Sequence, residues 1–134
     1  MRLPDWPARL DALIAAASGR RFRYGVFDCC LFAADAALAI TGVDHAGPLR
    51  GYRGRRQAHA ILKQAGGIAQ LVTDRLGRGP IEAAQAQRGD VLLAYLSNGA
   101  PALGICLGRL IAFPSSEGLA FHPLTVAHCA WRIG

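Results

Sequence analysis

The side chains best placed for chemistry are Cys29 and Cys30, which follow Asp28 and open the apolar run Leu31-Phe32-Ala33-Ala34. Asp28 is a good helix N-cap, because its short carboxylate accepts hydrogen bonds from the unpaired N–H groups of a first helical turn. Cys29 then falls at the first helical position, where the positive end of the helix dipole favours a thiolate over a thiol. Such a sulfur is a candidate nucleophile. Free cysteine is also among the most buried residue types, so a Cys-Cys pair at the head of an alanine-rich helix equally fits simple packing.

A cysteine nucleophile needs a base, normally a histidine held on a neighbouring element by a third polar group. Four histidines compete for that role. His45 lies in a glycine-proline loop and His59 among charged residues of a helix, both surface settings. His122 ends the stretch Leu119–His122 and His128 lies in the last strand, so these two are the candidate bases.

The elements that must position these groups follow from periodicity. Apolar residues recur at three and four over Trp6, Leu10, Leu13, Ile14 and Ala17, predicting a first helix that Asp5 can cap and Gly19 ends. The basic segment Arg20 to Gly25 leads to the cysteines. From Asp28 to Thr41 the chain is apolar on nearly every side, which predicts a buried central helix stopped by Gly42. Asp35 within it must pair with an arginine or reach solvent. A third helix is expected from about Arg55 to Ala65 and a short fourth over Ile68 to Leu76. After Gly89-Asp90 the period turns strand-like: Val91–Leu96, Ala102–Leu107, Leu110–Phe113, Leu119–His122 and a last strand within Val126–Ile133. Helices over about 1–87 and an antiparallel sheet over about 88–134 make one α+β domain spanning residues 1–134.

Composition narrows the function classes. At 134 residues the chain can bury a core without staples. Its four cysteines include an adjacent pair, which suits neither a disulfide framework nor a zinc spacing, so they read as reduced thiols with no metal or other cofactor. No signal peptide or membrane span is evident, consistent with synthesis in the bacterial cytoplasm. The net charge of +6 makes an anionic partner worth testing, but aromatic residues are not interleaved with the arginines as a nucleic-acid stacking platform requires. The basic run around Arg50, Arg53, Arg55 and Arg56 is a candidate binding surface for phosphate or an acidic protein.

Three segments carry a family resemblance: Phe27-Asp28-Cys29-Cys30 before an apolar helix ending at Gly42, then Arg88-Gly89-Asp90-Val91-Leu92-Leu93, then Leu103-Gly104-Ile105-Cys106-Leu107-Gly108. In order and spacing they resemble the NlpC family of papain-like peptidoglycan peptidases. More narrowly, the chain resembles the small single-domain proteins of this kind encoded in tail gene clusters of bacteriophages, prophages and gene transfer agents. The resemblance implies that Cys29 occupies the nucleophile position and Gly89-Asp90 the start of the next strand. It places Ala102 where the catalytic histidine belongs, and Ala112 to Pro114 where the third polar residue belongs. Cys30 replaces a commonly occurring serine.

The implied protein is therefore a degenerate NlpC-like domain acting as a structural component of a tail tip or hub, assembled into a virion or tail particle and bound to other tail proteins. Cys29 is then a relic or a structural thiol. The alternative is an active cell-wall cysteine peptidase, acting on peptidoglycan during genome delivery with His122 or His128 as base.

Overall fold

The structure, a computed structural model, describes residues 1–134. Its centre is helix α2 (Cys29–Thr41), built as the sequence dictates. Asp28 caps it by accepting from the Leu31 N–H at 2.9 Å, and Gly42 ends it in the left-handed conformation with φ 81°. Phe32, Ala36, Ala37 and Ile40 of this helix are buried. Helix α1 (Trp6–Ala17) packs on α2 through the buried Leu10 and Ala17. The expected cap of α1 is not formed: the Asp5 carboxylate turns to Arg9 at 2.9 Å, one helical turn on, and makes an ion pair there instead. Two further helices, α3 (Gly54–Ala65) and α4 (Ile68–Leu76), form a hairpin through Gly66 and Gly67.

Five strands follow: β1 (Val91–Tyr95), β2 (Pro101–Cys106), β3 (Leu110–Ser115), β4 (Gly118–Pro123) and β5 (Ala127–Trp131). All pair antiparallel, in the spatial order β4-β3-β2-β1-β5. The first four make a meander, and β5 crosses back to lie on the far side of β1. Leu93 stands opposite both Leu103 and Cys129, so β1 is paired on both sides.

The α+β class expected from periodicity is thus the architecture observed. The sheet is covered on both faces. Val91, Leu93, Leu103, Ile105, Ala112 and Trp131 pack with α1 and α2 in the larger core. Leu92, Ala94, Ala102, Cys106, Ile111 and Phe113 form a second core, closed by Ile81, Ala83, Ala86 and Leu124 from the segments around two short 3-10 turns. Each large apolar side chain buried this way contributes about 1.5–3 kcal/mol. Alternating burial on both faces explains why these strands read as nearly continuous apolar runs.

One buried carboxylate ties the layers together. Asp90 is fully buried and accepts from Arg2 Nη2 at 3.0 Å, the Gln87 N–H at 2.9 Å and the Ile133 N–H at 3.1 Å. Arg2 also donates to the carbonyls of Arg88 and Ile133 and lies over the Trp6 ring. The residues nearest the two ends of the chain are therefore joined at the start of β1.

Candidate functional site

The first turn of α2 is held by an unusually complete set of contacts to Asp28. One carboxylate oxygen caps Leu31, while the other accepts from the Gly25 N–H at 2.8 Å and from the Tyr52 hydroxyl. Gly25 is required for this approach: its φ is +81°, and a Cβ there would lie 2.2 Å from the Tyr52 carbonyl oxygen. The loop before α2 and the loop before α3 thereby close around one carboxylate. Burial, and then the hydrogen bond to Asp28, push the Tyr52 phenol well above its ordinary value, so it stays a proton donor.

Cys29 and Cys30 are both half-buried and reduced. The two thiols influence each other in opposite directions. The Cys30 side chain beside it is the main influence holding Cys29 below its usual value, helped by the backbone N–H of Leu103 on β2 and opposed by burial and the Asp28 charge. Cys30 is pushed well above its usual value, first by Cys29 and then by burial. Cys29 is therefore the thiolate-leaning member of the pair.

A proton shuttle is what this site lacks. No imidazole is hydrogen-bonded to either sulfur; the one histidine ring nitrogen with a protein partner is Nδ1 of His45, 3.2 Å from the Arg75 carbonyl. His122 is exposed on β4 opposite Ile111, its ring edge-on to Phe113 at 5.5 Å. His128 is exposed on β5 against Tyr95. His59 lies on α3 with its ring edge-on to Tyr24 at 5.9 Å. Ala102, buried in the second core, directly precedes Leu103, whose backbone adjoins the Cys29 sulfur. Its methyl group can neither take nor give a proton. No three His, Cys, Asp or Glu side chains converge as a metal-ligand set.

The candidate arginines separate into two kinds. Arg50 is taken up within the protein, reaching Asp35 at 2.7 Å and Asp44 at 2.9 Å, which resolves how Asp35 is accommodated in the apolar helix. Arg53, Arg55 and Arg56 are exposed and take part in none of the five ion pairs. Tyr52 is the site residue the sequence did not reveal. It stands in a charged, glycine-broken run that reads as solvated surface, and no periodicity connects it to Asp28, 24 residues earlier.

Beside the thiols opens a predominantly apolar cavity of about 790 Å³. It runs between α2 and the α3–α4 hairpin, passes Cys29 and Cys30, and extends toward Pro101 and His122. Its size has a simple origin. The α2 residues that line it are Cys29, Cys30, Leu31, Ala33, Ala34 and Ala37, mostly short side chains, with Leu62, Leu71 and Val72 of the hairpin lining the other side.

Fold and site together define an α+β domain whose central helix presents an acidified cysteine against an antiparallel sheet, beside an apolar cavity and without an adjacent base. The chain belongs to the family described as Domain of unknown function (DUF6950), which matches residues 1–133. No curated protein matches the sequence.

Proposed function

We propose that this chain is a non-hydrolytic NlpC-like domain serving as a binding component of a phage-type tail, at the tip or hub, where it docks on other tail proteins. The observation that carries the reading is the missing base: Cys29 sits at the head of α2 against β2, and no imidazole is hydrogen-bonded to it. Acyl transfer to and from a cysteine needs a group that removes a proton from the nucleophile and returns one to the leaving amine. Losing that group costs on the order of 3–5 kcal/mol of transition-state stabilisation. The family resemblance supplies the tail context, and the unpaired Arg53, Arg55 and Arg56 supply a docking surface for an acidic partner.

The competing reading is a working peptidoglycan peptidase, favoured by the lowered pKa of Cys29. Incubation with purified peptidoglycan, comparing the intact chain with Cys29→Ala, separates the two. The expected result is no release of stem peptides by either protein, and thiol-dependent release by the intact chain would overturn the non-hydrolytic reading. The tail assignment is tested by mass spectrometry of purified tail particles from cells carrying the gene. The chain is expected in stoichiometric amount, and particles that lack it would refute the assignment.

A further inference from the structure

We propose that Arg23, Arg53, Arg55 and Arg56 form one docking surface, shared by the loop before α2 and the start of α3, for an acidic peptide segment of a partner protein. Where that partner occurs rests on the tail reading; what chemistry it presents rests on the surface itself. The two arginine-bearing segments are far apart in sequence, and the structure joins them at several points. Asp28 accepts from the Gly25 N–H of one segment and from the Tyr52 hydroxyl of the other. A Cβ on Gly25 would lie 3.6 Å from the Arg53 Cα, so Arg53 abuts the loop that carries Arg23. The Tyr24 ring packs edge-on against His59 of α3, with centroids 5.9 Å apart. The arginines are thus held beside one another by backbone and ring contacts that they do not themselves make.

The charge gathered there is left unanswered within the chain. Arg23, Arg53, Arg55 and Arg56 are all exposed, and none takes part in an ion pair. Residues 12–27 and 45–73 contain no Asp or Glu. Asp28, the carboxylate between the two segments, is buried and taken up by Gly25, Leu31 and Tyr52. Asp35 and Asp44 are held by Arg50. Glu117 shares a small polar cleft with Arg20 and Arg21 and pairs with neither. Like charges collected on one surface repel, and an acidic occupant removes that repulsion. A guanidinium donates two parallel hydrogen bonds to one carboxylate, which suits side chains of Asp or Glu. A phosphate backbone would match the charge, but single-stranded nucleic acid also needs aromatic faces for its bases. The rings here are half-buried and packed edge-on to one another, Phe22 with Tyr24 at 4.9 Å and Tyr24 with His59, so the surface favours a peptide.

Fluorescence anisotropy with fluorescein-labelled octaglutamate tests the proposal, with an oligothymidylate of matched charge as competitor. Saturable one-to-one binding that weakens as salt is raised is the expected result, with the oligothymidylate competing less well than unlabelled octaglutamate. Arg55→Ser/Arg56→Ser is expected to weaken binding about tenfold and Arg23→Ser about threefold. Arg109→Ser/Arg132→Ser removes the same charge as the first variant from exposed, unpaired positions outside the two segments, and is expected to leave affinity within about twofold. The proposal is overturned by absence of saturable binding, by equal weakening in the two double variants, by an unchanged affinity in Arg23→Ser, or by stronger competition from the oligothymidylate, which would mark a nucleic-acid surface. Each of these results leaves the mass spectrometry of tail particles standing, and particles that lack the chain would remove the tail context while the peptide binding stands.

Discussion

Replacing Tyr52 by Phe removes one hydroxyl and leaves the ring in place, so it isolates the bond that closes the two loops around Asp28. A hydrogen bond to a charged acceptor is worth about 1.5–3 kcal/mol. Asp28 keeps its two backbone donors, and Tyr52 is only half-buried, so the lower end, about 1.5 kcal/mol at pH 7, is the expected loss. The pH dependence gives a second, sharper signature. The folded chain holds the Tyr52 phenol protonated well above the unfolded value of about 10. A group whose proton is held more tightly in the folded state contributes stability that is present below the unfolded pKa and lost above it.

For a phenol that stays protonated in the fold, the loss reaches about 1.4 kcal/mol by pH 11, and solvent access at this position reduces it to about 1 kcal/mol. The gap between wild type and Tyr52→Phe should therefore narrow from about 1.5 kcal/mol at pH 7 to about 0.5 kcal/mol at pH 11. Urea unfolding curves at the two pH values measure both quantities, and the other two tyrosines cancel because both proteins carry them. A gap that is absent at pH 7, or that does not change with pH, would show that Tyr52 does not brace the head of α2.

Three other substitutions probe independent features. Asp90→Asn leaves Arg2 without its counter-charge inside the joint between the chain ends, and should lower unfolding free energy by about 3–5 kcal/mol in urea; a loss below 1 kcal/mol would mean the joint is incidental. Gly104→Ala places a methyl 2.5 Å from Ile111 Cγ2 and 2.7 Å from the Phe113 ring, so overpacking of the second core should cost about 1–3 kcal/mol, read as a lowered thermal midpoint. Because the Cys30 thiol is what chiefly acidifies Cys29, Cys30→Ala should move the Cys29 alkylation profile with iodoacetamide to higher pH. An unmoved profile would assign the acidity to the helix end and the Leu103 N–H instead.

The parts of the fold legible in the sequence are those set by local chemistry. Asp28 caps because short carboxylates cap, Gly42 stops α2 because a left-handed residue is needed there, and the strand pattern after Gly89 yields four successive antiparallel strands. What was not legible depends on partners far along the chain. Asp5 has a capping residue's shape, but an arginine four residues on competes for it and wins. Nothing local in Ala127–Trp131 specifies that it should bypass its predecessor and pair with β1. Tyr52 and Arg50 are two residues apart in one basic run, yet one braces the cysteine helix and the other neutralises two carboxylates, a distinction made only by tertiary neighbours. The cysteine half of the site was legible; the cavity beside it, which comes from what alanine side chains fail to fill, was not.

The position of β5 also sets the order in which the domain can become stable. Strands β1 to β4 can zip together as successive hairpins while the chain lengthens, but one side of β1 stays open until residues 127–131 arrive. Trp131 and Ile133, both members of the larger core, and the Ile133 N–H that binds Asp90 arrive with them. Until then β1 has an unpaired edge and Asp90 lacks the Ile133 donor. Contacts between residues 2, 90 and 133 close the longest loops in the molecule, and such distant pairings slow folding. The folded state is consequently gated by its final segment, and folding in this domain should follow, rather than accompany, the emergence of residue 133.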